Sequence, residues 1–143
     1  MKYVTKIHAL NILCKLNTTG DWHWGGIQWD HPTIRESNGS FFGDYGLKQN
    51  KEIPYHNEKY NVANHIRALL DMLLENDFDM AQGMRDNFID NDKYTKEIFY
   101  LVYSMNKLPN WQQINDFMLE EYKLDWYFFV KEKIKREKQM VKN

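Results

Sequence analysis

The spacing of hydrophobic positions changes near residue 60, and this change predicts helices from there onward. Apolar residues then recur at intervals of three and four, which places them on one face of a helix. The first such set, with Asn61 as its expected N-cap, is Val62, Ile66, Leu69, Leu70, Leu73 and Leu74. We expect Ile66, Leu69, Leu70 and Leu73 to lie in the core of the protein.

Further helical sets follow toward the C-terminus. One covers residues 78–88 and is weakened by Gly83, because glycine is a poor helix former. Another covers residues 94–105, and Pro109 marks the end of one helix and the start of the next. The apolar positions expected to carry the last helix, before a charged tail, are Leu124, Phe128 and Ile134.

Before residue 60 the pattern is typical of short strands and turns. The strand-forming positions are Tyr3, Val4, Thr5 and Ile7, followed by a second short run at Ile27–Trp29. We therefore predict a helix-dominated α+β fold, in which a short irregular N-terminal β region packs on a C-terminal bundle of four to five helices. The prediction is a single domain over residues 1–143, with a β and loop region at 1–58 and a helical region at 59–143.

Composition limits the class of protein. The chain has 143 residues, a net charge of −1 and one cysteine, Cys14, so an internal disulfide and a cysteine-based zinc site are excluded. The longest apolar runs have five residues, at 99–103 and 126–130, which is too short to span a membrane. No apolar signal segment is visible at the N-terminus. We expect a soluble cytoplasmic protein without a membrane partner.

The richest segment for function is residues 20–46, which holds six of the seven glycines and three of the five tryptophans. Within it, Asp21 and His23 face the same side if the backbone is extended, so the carboxylate can orient the imidazole as a general base. His8, Glu36 and Asp44 are candidates to join them as acids, bases or metal ligands. The spacing matches no metal-hydrolase signature, and we predict no metal and no cofactor. In the alternative, Asp21 caps a turn and His23 bonds locally.

The same segment offers an aromatic surface. Trp22, Trp24 and Trp29 could stack on bases, form a protein-binding hot spot, or pack in the core. Arg35 is the only lysine or arginine between residues 17 and 46, so phosphate contacts would be scarce and nucleic acid is the less favoured partner. Tyr45 is a further candidate contact and lies in Gly43-Asp44-Tyr45-Gly46, which we expect to be a tight turn.

Charged residues suggest two more surfaces. Residues 71–97 contain eight acids and three bases, and Asp79 and Asp86 represent an acidic helical face that could dock on a partner, with solvated helix surface as the alternative. Arg67 and Asp71 are four apart and predict a surface ion pair. His65 could point toward the N-terminal region. The tail at 131–143 has six basic residues and is expected to be a solvated helix end, with docking to an acidic partner or a nucleic acid as the alternative.

Several stretches resemble a group of small uncharacterised bacterial proteins associated with Gram-positive genomes and mobile elements. These stretches are Thr19-Gly20-Asp21-Trp22-His23, Phe42-Gly43-Asp44-Tyr45-Gly46 and the run Val62–Leu70. The resemblance covers roughly residues 6–125 and implies a toxin–antitoxin, abortive-infection or anti-defence role, without any known activity or site.

Two functional hypotheses follow. The first is a small protein-binding module, specifically a mobile-element inhibitor of the antitoxin, anti-defence or anti-CRISPR type, which acts stoichiometrically on another protein. The second is a small hydrolase or nuclease that uses the Asp21–His23 pair. A converging pocket would favour the enzyme, and exposed tryptophans on a fairly flat patch would favour the binding module. The oligomeric state stays open.

Overall fold

The computed structural model describes residues 1–142, which belong to two compact units. The first unit is Met1–Asp92, and the second begins at Lys93. The first holds a small sheet with helices and the second is helical, so the predicted α+β class is confirmed. That the chain forms a single domain stays a prediction.

The sheet of the first unit has four short strands in the spatial order β2-β1-β4-β3. The strands are β1 (Lys2–Val4), β2 (Ile34–Glu36), β3 (Leu47–Glu52) and β4 (Lys59–Ala63). Strand β1 pairs antiparallel with β2 and parallel with β4, while β3 and β4 are antiparallel with an irregularity between Lys48 and Lys51. A parallel pair needs a long connection between its strands, and residues 5–58 supply it.

The helices of the first unit are α1 (Lys6–Leu10), α2 (His65–Leu74) and α3 (Phe78–Ala81), and a one-turn π-helical segment follows at Met84–Phe88. Helix α2 is buried on nearly every side. The four predicted core residues, all fully buried as expected, are Ile66, Leu69, Leu70 and Leu73.

Several predicted boundaries in this unit are wrong. The first strand ends at Val4 instead of continuing through Ile7, because Lys6 has a left-handed φ of +56° at which the chain turns into α1. No strand forms over residues 27–29, where Trp29 is instead drawn into the core. The single helix predicted over 78–88 is interrupted at Gly83, whose φ of +93° is left-handed.

The predicted N-cap of the first long helix is also wrong. Asn61 lies within β4, and Val62 pairs with Val4 across the sheet instead of joining the helix. Asn64 is the cap, since its side-chain oxygen accepts a hydrogen bond from the backbone N–H of Arg67 at 2.8 Å. The strand continues to Ala63 because sheet pairing holds it, which hydrophobic spacing alone does not reveal.

The second unit contains α4 (Thr95–Tyr103), α5 (Trp111–Tyr122) and α6 (Leu124–Lys142). Its core is aromatic, with the Phe99 ring 5.0 Å from Tyr122 and 5.2 Å from Trp126 between centroids. The last helix is confirmed, but its predicted face is wrong. Trp126 is the buried residue, whereas the three positions expected to bury the helix are exposed, namely Leu124, Phe128 and Ile134.

The Arg67–Asp71 pair, predicted to lie on the surface, is buried. Arg67 is 0% exposed, and its Nε donates to Asp71 Oδ1 at 2.9 Å. The second oxygen of Asp71 accepts hydrogen bonds from Tyr3 Oη and Thr5 Oγ1, both at 2.7 Å. Burial first, and then the hydrogen bond to Asp71, raises the pKa of Tyr3. The carboxylate therefore joins α2 to the first strand and the residue that follows it.

The remaining guanidinium N–H groups of Arg67 hold the turn over residues 40–46. Nη1 donates to the carbonyl oxygens of Gly43 and Tyr45, both at 2.7 Å, and Nη2 reaches Ser40 Oγ at 3.3 Å and Tyr3 Oη at 2.9 Å. With the bond to the carboxylate of α2, all five guanidinium N–H groups have an acceptor. The tight turn that the sequence predicts thus holds the buried guanidinium group of Arg67 through its carbonyl oxygens.

Gly46 closes this loop against α2. Its φ is +74°, and a Cβ atom there would lie 2.9 Å from both Arg67 Cβ and Asn64 Oδ1. Because both the backbone angle and the space require glycine, the turn sequence is explained by packing around the arginine.

We predict that Arg67→Met lowers the free energy of unfolding by about 3–5 kcal/mol, because it leaves the buried carboxylate of Asp71 without its cation. Urea-induced unfolding followed by circular dichroism measures the change. Arg35→Met is the matched control in the same unit, since Arg35 pairs with Glu75 at 2.8 Å on the surface, and it should cost no more than about 1 kcal/mol. Equal losses in the two variants would contradict the role assigned to the buried pair.

Candidate functional site

The tryptophan-rich segment is anchored by one buried indole. Trp29 is 3% exposed, its ring meets His8 edge-on at 5.1 Å, and its Nε1 donates to the carbonyl oxygen of Trp24 at 2.7 Å. That bond fixes the short 3-10 turn Trp24–Gly26. Of the three uses that the sequence left open for these tryptophans, Trp29 takes the core position, because its ring and its donor are used internally.

Four large apolar side chains near this turn lie on the surface, and we call them the aromatic patch: Leu13, Trp22, Trp24 and Tyr55. They are between 47% and 75% exposed. Together with Asn11 and Pro54 they line an open concavity of about 400 Å³. The rings of Trp24 and Tyr55 are 5.8 Å apart between centroids, so these two aromatic side chains are in contact within the patch.

Two of the patch residues have unusual backbone conformations. Trp22 has a φ of +43° and Tyr55 a φ of +65°, and neither is a glycine. Left-handed backbone costs an ordinary residue roughly 1–2 kcal/mol. Neither side chain recovers this cost by burial, since both are exposed. Strain of this kind is concentrated at functional sites in proteins.

Asp21 and His23 lie beside the patch and contact each other, although the backbone between them is left-handed at Trp22 and not extended as the prediction assumed. His23 Nδ1 is 3.0 Å from Asp21 Oδ1, and this hydrogen bond, with the negative charge of Asp21, raises the pKa of His23. Asn11 holds the pair in place by donating to Asp21 Oδ2 at 3.0 Å and accepting from the backbone N–H of His23 at 2.5 Å. The His23 side chain is nevertheless 77% exposed and does not line the concavity.

The other predicted catalytic residues are occupied elsewhere. His8 is buried, with its ring nitrogens bound to Thr33 Oγ1 at 3.1 Å and the carbonyl oxygen of Gln28 at 2.8 Å. Glu36 pairs with the N-terminal amine at 2.6 Å, and this hydrogen bond lowers its pKa. Asp44 is exposed in the arginine-binding turn. Within residues 1–142, which the structure describes, the only hydrogen bond between two of the five predicted catalytic residues joins Asp21 to His23.

The remaining predicted binding residues lie in other parts of the first unit and do not belong to the patch. Tyr45 is half-buried, and its carbonyl oxygen accepts from Arg67. Asp79 on α3 and Asp86 in the π-helical segment are both exposed. None of the three lines the concavity of the aromatic patch.

A second arrangement, which the sequence did not reveal, surrounds Cys14. The buried His65 accepts or donates at Nδ1 with Thr18 Oγ1 at 2.7 Å, and its Nε2 donates to the carbonyl oxygen of Ile12 at 2.8 Å. Cys14 Sγ is 4.0 Å from the same Thr18 oxygen. His65 thus points toward the N-terminal region, which is the orientation that the sequence analysis considered. It lies 51 positions after Cys14 in the chain.

The environment of Cys14 makes its thiol acidic. Burial by itself raises the pKa of Cys14, but the interaction of the thiol with the His65 side chain outweighs it and brings the pKa to about 7. The thiol faces a pocket of about 280 Å³ that is also lined by Lys15, Lys48 and Lys51. Lys48 and Lys51 would face opposite sides of a regular strand, and the β3 irregularity lets both line this pocket.

Comparison of the chain with protein-family models, with curated proteins and with solved structures finds no significant match. Within residues 1–142, no group of three or more His, Cys, Asp or Glu side chains is arranged to hold a metal ion. No helix in that described range is long and apolar enough to cross a membrane.

We predict that Cys14 reacts with iodoacetamide at a rate that rises with pH with a midpoint near pH 7, because the thiolate is the reactive form. The same chain unfolded in urea should show a midpoint near the ordinary thiol pKa of 9.0. His65→Gln, checked for folding by circular dichroism, should move the native midpoint upward. A native midpoint equal to that of the unfolded chain would contradict the assignment.

Proposed function

We propose that this protein is a protein-binding module that contacts its partner through the aromatic patch. The observation that carries the proposal is the placement of four exposed apolar side chains around one concavity, two of them in strained left-handed backbone. A chain under selection for folding alone would gain stability by relaxing these residues. Their retention is understandable if the patch is buried in a complex.

The chemistry of the patch suits a protein surface. Tryptophan and tyrosine dominate binding hot spots because they present large rigid areas with few rotatable bonds. Around them, Asn11, Asp21 and His23 form a polar border next to the apolar centre. An apolar centre inside a polar rim is the usual anatomy of a protein–protein interface.

Nucleic acid is a poorer fit to the same surface. Base stacking on aromatic rings is normally accompanied by lysine or arginine contacts to the phosphates. Arg35, the single cation of residues 17–46, is engaged by Glu75 through two nitrogen–oxygen contacts of 2.9 and 2.8 Å. Residues 17–46 therefore supply no unengaged cation for phosphate contacts, which favours a protein over an anionic polymer at Trp22 and Trp24.

The enzyme hypothesis has one observation in its favour, which is the Asp21–His23 pair with the raised pKa of His23. A general base works best where water is excluded and a substrate can be held against it. The His23 ring is open to solvent and lies outside the concavity lined by Trp22 and Trp24. We therefore place a hydrolase or nuclease activity second.

The resemblance to small mobile-element proteins specifies the proposal further. On that basis the partner is a cytoplasmic protein of a toxin–antitoxin or defence system, and the module acts stoichiometrically as an inhibitor. Affinity capture from the native host, followed by reconstitution with the recombinant partner, identifies that protein and provides the assay.

We predict that Trp22→Gly weakens partner binding by about 2 kcal/mol or more, which is roughly 30-fold in Kd, without lowering the free energy of unfolding. Glycine relieves the left-handed strain at φ +43° while it removes the exposed indole. Trp24→Ala should weaken binding by a similar factor. Isothermal calorimetry measures the affinity, and urea unfolding measures the stability.

Phe41→Ala is the matched control, because Phe41 is an equally exposed aromatic residue that does not line the concavity. It should leave Kd within about twofold. If Trp22→Gly and Trp24→Ala bind as tightly as the unmodified protein, the patch is not the interface. Loss of biological activity in a folded His23→Ala variant that still binds would transfer the function to the Asp21–His23 pair.

A further inference from the structure

Helix α6 presents an apolar stripe that its own unit does not bury. Tyr127, Val130, Ile134 and Val141 recur at intervals of three, four and seven residues, which places them along one side of the helix. Tyr127 and Ile134 are exposed, and Val141 is 86% exposed. Trp126 lines the same concavity as Tyr127, Val130 and Ile134 and is fully buried in the aromatic core.

The stripe forms one wall of a groove, which we call the α6 groove. Its first part, of about 370 Å³, lies between α6 and α5, where Leu119 and Asn115 form the other wall. A second concavity of about 360 Å³ continues past Glu137 to Val141, and Ile134 belongs to both. From Tyr127 to Val141 the helix rises about 21 Å, which matches four turns of a second helix.

The charge beside the α6 groove is positive. Lys131 and Lys138 line it directly. Residues 131–143 contain six basic residues against Glu132 and Glu137. Glu132 pairs with Arg136 at 3.2 Å, whereas Glu137 accepts from the neutral Tyr103 Oη at 3.0 Å and keeps its negative charge beside Lys138. The two concavities are thus lined by two lysines and one carboxylate, and an incoming segment meets a net positive charge along an apolar floor.

We propose that the α6 groove binds an acidic amphipathic helix of a partner protein. An apolar stripe with this spacing accepts the corresponding stripe of another helix, and carboxylates at its edges would pair with Lys131 and Lys138. This surface lies in the second unit and is independent of the aromatic patch, so either site can be tested without the other.

Other occupants fit the groove less well. A second copy of α6 would bring Lys131 and Lys138 against the same lysines, and like charges at such positions oppose pairing. A lipid surface is met by a convex apolar face, whereas Tyr127, Val130 and Ile134 line a concavity between two helices. A nucleic acid would place charged phosphates against Ile134 and Val130. Phosphates offer no apolar surface, so these two side chains would not be buried in an apolar environment.

The test uses a synthetic fluorescent peptide of about 20 residues, with leucines at three- and four-residue spacing flanked by glutamates. A second peptide replaces every glutamate with lysine. Fluorescence anisotropy with the full chain should show binding of the acidic peptide, weakening with added salt, and no comparable binding of the basic peptide. Absence of acidic-peptide binding at about 1 mM, or equal binding of both peptides, would overturn the proposal.

Reversing the charges of the two groove lysines tests whether the acidic peptide binds in the α6 groove. The double variant Lys131→Glu/Lys138→Glu should weaken the acidic peptide by about tenfold or more and bind the basic peptide instead. Lys96→Glu/Lys107→Glu is the matched control, since it changes the net charge equally at exposed positions of the same unit outside the groove. Equal effects of the two double variants would overturn the site. So would retention on phosphatidylserine vesicles or dimerisation in sedimentation equilibrium without binding of the acidic peptide.

Discussion

The first unit depends on the burial of one guanidinium group. A cation removed from water must have every N–H bonded, because an unsatisfied buried donor costs far more than an ordinary hydrogen bond contributes. Arg67 meets this requirement with acceptors from α2, from Tyr3 and from the turn over residues 40–46. The turn and the first strand are therefore held by the arginine. Gly46 permits the close approach of this turn to α2, so this glycine serves folding and not phosphate binding.

The same helix also positions the candidate sites. At its first residue, His65 binds Thr18 and the carbonyl oxygen of Ile12, and thereby fixes the segment that carries Cys14. Gly20 passes so close to this ring that a Cβ atom there would lie 2.8 Å from its Cε1. The backbone then leads directly to Asp21 and Trp22. The aromatic patch thus rests on a buried polar framework, which explains how exposed aromatic side chains are held in strained conformations.

The sequence predicted those features of the fold that depend only on the spacing of apolar residues. The α+β class, the buried positions of α2 and the C-terminal helices follow from intervals of three and four, whatever the helices pack against. Burial of Arg67 does not follow, because an arginine four residues before an aspartate has the same spacing on a surface and in a core. Likewise, no local pattern indicates that Trp29 is buried while Trp24 is exposed, or that Cys14 lies near His65. These features depend on contacts between residues that are distant in the chain.

The two proposed surfaces differ in the force that would drive binding. The aromatic patch offers apolar area with one carboxylate–imidazole pair at its edge, so its contribution should depend weakly on ionic strength. The α6 groove combines an apolar floor with Lys131 and Lys138, and exposed charges are screened over about 10 Å at 0.1 M salt. A partner that used both would show an affinity that falls with salt to a plateau set by apolar burial at the patch and at the floor of the groove. The size of the fall measures the contribution of the charge pairs without any mutation, because salt weakens charge pairs while it leaves apolar burial intact.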